Sequence, residues 1–577
     1  MIIRFSFFTT KQIDLYARRC NELLQRKLVH AIYHDSNGYH VEANGDQDEI
    51  TELANIIGQS FPLSCSITGT DISAVPSFKG SSKLLTTSES VDYVHYCEQC
   101  KDDFTHLCPV CESAIINAIT VNEQAVIPSD TQQLLQSTEV LVEQKPLTLQ
   151  SLYGSHIVNE TWLPLTDIEP HQQRMVFTSI EALQNACFVT ERDLQLLLSI
   201  EKPSLRLAIK PDFKQKYQLP LDTYIVSLPA HKLAYTIATY CAGQDIHAFV
   251  LDGDDTSPHI LKFGTDILYF DNAPQPESLI THQPIHTSVA ALGLNAQWKK
   301  GTLSIKRDNN PHPLSKPEMS AAYALENLLQ RDRFPKKCAV LYLDNRYPSG
   351  LLHRIDNKKT YDYQWLFEAP QYSKEIILRD LLNQITELDP TSTQLVARFI
   401  EANGQRIANA PTANGSLSDM LGLLAIILGL SDNGATLVQA SNSAVATVIS
   451  NKFENLPRVE FELITKGDTL EIDWVKAFQS VLSYYVAMPD DNKVIVAGFL
   501  DSLADYLCAW IERFDQHLGF EKLTLAGNEF DNPIFLELLR LRLSKNVQLT
   551  HSYDSDLTAM NLVFGSMFVA NDAQLTR

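Results

Sequence analysis

The residues best placed to do chemistry are four cysteines in two knuckles, Cys97-Glu98-Gln99-Cys100 and, seven residues on, Cys108-Pro109-Val110-Cys111. Each Cys-x-x-Cys turn aims two thiolates at one point, and four thiolates at about 2.3 Å close a tetrahedral shell around zinc. A closed shell leaves no position for a substrate, so the chemistry it predicts is structural. A redox dithiol is the alternative, but it needs only one such pair, ordinarily where a strand enters a helix. Two knuckles favour a zinc ion held by Cys97, Cys100, Cys108 and Cys111, with His106 a bystander in the intervening loop.

These cysteines must be carried by something larger. A chain of 577 residues implies roughly three to five domains. Its 47 basic and 69 acidic residues leave a net charge of −22, which argues against an extended phosphate-binding surface and so against nucleic acid as a partner. The opening Met1-Ile-Ile-Arg-Phe-Ser-Phe-Phe lacks the pattern of a secretory leader, and no apolar run of about 20 residues stands out. Cys20, Cys65, Cys187, Cys241, Cys338 and Cys508 are scattered singly, without the spacing of a disulfide framework. Together these readings predict a cytoplasmic protein with no membrane span.

The first segment is the most regular. Ile3, Phe5 and Phe7 alternate as a half-buried strand, and Ile13, Tyr16, Cys20, Leu23 and Leu24 recur at helical spacing. Two strands, 28–34 and 39–43, flank the hairpin signal Asn37-Gly38; Ile50, Leu53, Ala54 and Ile57 mark a second helix, and a last strand follows near 66–72. The order βαββαβ predicts a ferredoxin-like sandwich. Residues 77–92, rich in Ser, Lys and Thr, read as a linker into the cysteine module.

A ferredoxin-like domain directly before a cysteine-rich module resembles the start of the HypF family, the hydrogenase maturation carbamoyltransferases. The resemblance implies an α/β multidomain protein: an acylphosphatase-like domain over 1–76, a small zinc-binding module over 93–115, a YrdC-like α/β domain over 123–280, and a duplicated actin-like (ASKHA-type) α/β domain over 285–577. Phrases along the chain carry it. The stretches 188–208 and 227–237 have the helix, turn and strand rhythm of the YrdC-like domain. Ser288-Val-Ala-Ala-Leu-Gly293, followed by Lys299-Lys300-Gly301, is similar to the opening of the actin-like domain, and Val340–Asp344 to a later strand of it. Ser416–Leu430 and Ile495–Ala504 resemble two helices of that domain. Leu523-Thr-Leu-Ala-Gly-Asn-Glu-Phe-Asp-Asn532 resembles its Ser-Gly-Gly-Val-Phe-Gln-Asn strand and turn.

The family makes carbamoyl-adenylate from carbamoyl phosphate and ATP and passes the carbamoyl group to a HypE-type partner. The implied nucleotide site here is the turn Gly527, Asn528, Asp531 and Asn532, with ATP as its ligand. The chain departs from the family at several chemical positions. The phosphate loop of the first domain reads Phe8-Thr9-Thr10-Lys11-Gln12, without glycine or arginine, and Lys11 reads as an exposed lysine. One short cysteine site replaces the family's two. Asp252-Gly-Asp-Asp255 stands where the YrdC-like domain holds a nucleotide, an acidic stretch that reads either as a cation ligand or as a solvated turn. His282 and His286 flank Pro284 and read as a loop pair rather than ligands. Ser315 and Met319 occupy the positions of the family's metal-binding histidines, and Asp556 lies three residues out of register with its late aspartate. No residue is assigned a catalytic role on the sequence alone.

Overall fold

The computed structural model describes the chain except residues 10–12, 36, 88–95, 98, 104, 107, 109, 112–118, 128–135, 137–146, 152–153, 160–173, 220, 254–257, 265, 272–277, 280–282, 308–311, 330–336, 358–359, 370–375, 432–433, 450–452, 544, 551–555 and 577. Lys11, Asp254, Asp255 and His282 therefore lie outside the described residues. Two compact units emerge, one formed by 1–219, 224–260 and 265–273, the other by 220–223, 261–264 and 274–577.

The first unit opens with the expected βαββαβ order: β1 (Ile2–Thr9), α1 (Asp14–Leu23), β2 (Val29–Asp35), β3 (Gly38–Asn44), α2 (Gln47–Ser60) and β4 (Ile67–Ala74). Its sheet runs β2-β3-β1-β4, and β1 pairs antiparallel with both β3 and β4. Ile3, Phe5 and Phe7 bury one face against Tyr16 and Cys20 of α1 and Leu53 and Ile57 of α2. Asp46 and Glu49 start α2 with a capping box, each side chain accepting the other's backbone N–H. The first part of the predicted linker is stitched down. Glu42, fully buried, accepts from the backbone N–H groups of Lys79 and Gly80 at 2.8 and 2.9 Å and pairs with Arg4. A buried carboxylate needs such partners, and Lys79 and Gly80 supply them.

A second sheet in this unit has the order β10-β11-β9-β12-β8-β7-β5-β6. Its strands are β5 (Ile119–Val121), β6 (Gln124–Val126), β7 (Leu147–Ser151), β8 (Gly154–Asn159), β9 (Arg174–Phe177), β10 (Leu205–Ala208), β11 (Thr223–Ser227) and β12 (Ala248–Gly253). The helix Glu191–Leu197 before β10, and the helix Lys232–Gly243 after β11, reproduce the rhythm read in the sequence. Asp252 ends inside β12. A two-stranded sheet joins β13 (His259–Phe263) and β14 (Asp266–Asp271).

In the second unit β15 (Ser278–Leu279), β16 (Ser288–Ala291), β17 (Leu294–Lys299) and β18 (Thr302–Arg307) form a sheet in the order β15-β18-β17-β16. Lys300 and Gly301 make the left-handed turn between β17 and β18. The larger sheet runs β22-β23-β21-β20-β19-β24-β25, from β19 (Cys338–Tyr342), β20 (Gly350–Asn357), β21 (Thr360–Glu368), β22 (Leu463–Lys466), β23 (Thr469–Ile472), β24 (Lys522–Ala526) and β25 (Leu549–Thr550), with β26 (Leu575–Thr576) beside β21. One core joins the small sheet, the helices Ser320–Leu329 and Ala559–Ser566, and β19. The 27-residue helix Asn492–Leu518 corrects the reading that no apolar run is long enough to span a membrane. Lys493, Asp501 and Asp505 interrupt it in sequence, and 72% of its most apolar window is buried in the fold, which makes it a core helix.

Candidate metal centre and C-terminal pocket

The two knuckles meet. The four sulfurs lie within 4.8 Å of one another, with Cys97–Cys108 at 3.7 Å, Cys97–Cys100 at 3.9 Å and Cys100–Cys111 at 3.5 Å. A tetrahedron of sulfurs about 2.3 Å from a central ion has edges of about 3.8 Å, so the set fits a bound metal. A disulfide would hold two sulfurs at about 2.05 Å. Cys100, Cys108 and Cys111 are buried and Cys97 is half-buried. Backbone N–H groups of Val110 and Cys111 point at the Cys108 sulfur at 3.4 and 3.5 Å, the support a thiolate needs. His106 stays outside, bonded to Asp103 and Thr105. The module is held by its neighbours in the same unit. Arg19 Nη2 donates to the Val110 carbonyl at 2.7 Å, Lys232 Nζ to that of Asp103 at 2.5 Å, and the Tyr96 hydroxyl to that of Pro229 at 2.7 Å.

The turn after β24 is built differently from the ligand loop expected of it. Gly527 has φ of 110°, and a Cβ there would sit 2.0 Å from the Leu343 carbonyl oxygen. The glycine is required by the chain's own packing, where the end of β24 runs parallel to β19. Its first three amides are already committed: Gly527 N–H to Leu557 O, Asn528 N–H to Asp344 Oδ2, and Glu529 N–H to Leu343 O. Asn528 uses both ends of its amide on Asn345, accepting from its N–H at 2.9 Å and donating to its side chain at 2.6 Å. Asn532 Oδ1 accepts from Phe535 N–H and so caps the helix Pro533–Leu543. Asp531 is buried. The structure thus brings Gly527, Asn528, Asp531 and Asn532 together, as a lock between two strand ends.

Beside that lock is a small pocket, partly open to solvent. Glu529 lines it, with Asp344, Tyr347, Asn414, Ser416 and Trp474 among its neighbours. The start of the helix Leu417–Leu428, capped by Ser416, faces it. Glu529 accepts from both the N–H and the hydroxyl of Ser418, at 3.0 and 2.8 Å. Burial pushes its carboxyl up to about 8, and the charges of Asp344 and Asp419 add to the rise. Asp419 is raised as well, by burial. Asp344 pairs with Arg346 at 3.1 Å. Sequence reading missed this pocket. The signal was present in Glu529, which stands where the resembled turn has valine.

The departures from family chemistry are structural in place. Met319 is 3% exposed and belongs to the core beneath the small sheet. Asp556 is buried and accepts from Thr558 and Met560 N–H groups, starting the helix Ala559–Ser566.

No protein-family model matches the chain. Among the crystal structures that match, two cover 98% of it. One is of full-length HypF in a phosphate- and nucleotide-bound form, at 14% identity, covering 97% of that chain with a TM-score of 0.57. The other is T. kodakarensis HypF, at 12% identity, covering 98% of that chain with a TM-score of 0.59. The chain has the HypF fold. It is also similar to Protein HydE of Wolinella succinogenes, 23% identical over 390 residues, which is 64% of this chain and 63% of that protein's length.

Proposed function

We propose that this chain is a HypF-like protein of hydrogenase maturation that acts as a binding scaffold, with a structural zinc ion in its four-cysteine site. The observation that supports a scaffold over a catalyst is the lock at Gly527–Asn532, whose leading amides are committed within the chain where a nucleotide would need them. Four thiolates are the ligand set zinc prefers for a closed structural shell. In this reading the body holds a HypE-type maturation protein in the cytoplasm. The test is pyrophosphate release from ATP on adding carbamoyl phosphate, together with co-purification of a HypE-type protein. Co-purification without pyrophosphate release is the expected result, and ATP-dependent release would overturn the scaffold reading.

The second reading is carbamoyl transfer itself, from carbamoyl phosphate through carbamoyl-adenylate to the acceptor cysteine of a HypE-type partner. It is favoured by the pocket beside β19 and β24, which holds a carboxyl, Glu529, that is still protonated at neutral pH. Calorimetric ATP binding that is lost when the pocket is altered would move the conclusion to this reading.

A further inference from the structure

The pocket has two unlike walls. Leu417, Ile472, Trp474, Leu503 and Leu507 form an apolar side, and Asp344 and Glu529 stand on the other. Asp344 is tied to Arg346, whereas among the described residues Glu529 has only the uncharged donors of Ser418. Charged or titratable groups acting on Glu529 are Asp344, after β19, and Asp419, on the helix Leu417–Leu428, both of them acidic. Ser418 grips both carboxyl oxygens, so Glu529 is anchored facing this field.

A second feature points to a ligand independently. Trp474 is 6% exposed, lines the same pocket, and its indole N–H has no hydrogen-bond partner among the described residues. A buried indole N–H ordinarily finds an acceptor. Among the described residues, then, Glu529 has no cationic partner, Asp344 already has Arg346, and the Trp474 indole N–H has no acceptor.

We propose that the pocket binds a small organic ammonium compound carrying an oxygen acceptor on an apolar chain, its ammonium group paired with Glu529 and its oxygen taken by Trp474. An anion would meet Asp344 and, once ionised, Glu529 on the same wall. A divalent metal is disfavoured because such ions demand several free oxygen ligands. Here both Glu529 oxygens accept from Ser418, and Asp344 already accepts from Arg346 and Asn528. The ring of Trp474 adds a surface that attracts a cation. This inference rests on the pocket alone, whichever way the carbamoyl question falls.

The probe is 5-amino-1-pentanol, titrated into the full-length protein at pH 7 by calorimetry in two buffers of different ionisation enthalpy. Saturable binding is expected, with release of close to one proton, because Glu529 must give up its proton to pair with the ammonium group. The uncharged analogue 1,5-pentanediol should not bind, and n-pentylamine should bind about tenfold more weakly, the worth of one hydrogen bond. Glu529→Gln should abolish proton release and cost at least about tenfold in affinity. Trp474→Phe should remove only the advantage of the amino alcohol over the amine. Absence of saturable binding, equal binding of the diol, or undiminished binding by a folded Glu529→Gln protein would each overturn the proposal. None of these outcomes bears on pyrophosphate release, so the scaffold reading is judged separately.

Discussion

Replacing Glu529 by Gln tests how this carboxyl is held. In the folded protein its pKa is about 8, against 4.5 for an ordinary glutamate. The native state therefore keeps a proton that the unfolded chain releases once the pH passes 4.5. A raised carboxyl contributes most below pH 4.5, loses ground steadily as the pH rises to about 8, and changes no further beyond that. Each decade is worth about 1.4 kcal/mol, so the cost is about 3 kcal/mol at pH 7 and about 5 kcal/mol above pH 8. Glutamine reproduces the protonated form: its carbonyl accepts from Ser418 N–H, and its amide can donate to the Ser418 hydroxyl. The variant should match the wild type near pH 4.5 and exceed it by about 3 kcal/mol at pH 7. Urea unfolding read by tryptophan fluorescence is well suited, since Trp298, Trp365, Trp474 and Trp510 all lie in the second unit. Parallel stability curves for the two proteins from pH 5 to pH 8 would refute the reasoning.

Four further outcomes follow from particular residues. Purified protein should carry about one zinc ion, and a Cys97→Ser, Cys100→Ser double variant should carry none by elemental analysis. Acidification should release the metal from the wild type as the thiolates protonate. The full chain should show no turnover of a small acyl phosphate above buffer, because Phe8–Gln12 offers neither arginine nor a glycine loop to hold the phosphoryl oxygens. Gly527→Val should destabilise the second unit by on the order of 3 kcal/mol, through the clash with Leu343 and the strained φ. Met319→Ala should cost about 2–5 kcal/mol as a core cavity and leave metal content unchanged; a fall in bound metal would contradict its packing role.

Local signals were legible in the sequence. The period of two in Ile3, Phe5 and Phe7, the period of three to four in the following helix, and Asn37-Gly38 are sufficient to write the first domain, since each is decided by near neighbours. The cysteine site was legible for the same reason: spacing within a knuckle sets where two thiolates point. The turn at Gly527 was not. Gly-Asn-Glu-Phe-Asp-Asn reads as a loop that welcomes a ligand. What closes it is Leu343, Asp344 and Asn345, brought there only by the parallel pairing of β19 with β24. The pocket needed the same non-local event, along with Trp474 from the segment following β23.

The departures from the resembled family fall into two kinds, and the difference bears on where function lies. Met319 has become core, and Asp556 caps a helix. Met319 stands at a position tied to chemistry in the resembled family and serves packing here, and Asp556, three residues from the register of the family's aspartate, satisfies backbone N–H groups; both lower the free energy of the fold. Glu529 runs the other way. A valine would carry no ionisation penalty there, whereas the glutamate carries a cost of about 3 kcal/mol at neutral pH. A buried carboxyl that opposes stability at neutral pH is the kind of local inconsistency expected at a binding or catalytic position. The pocket at Glu529 is therefore where a ligand would repay the cost that burial imposes on the fold.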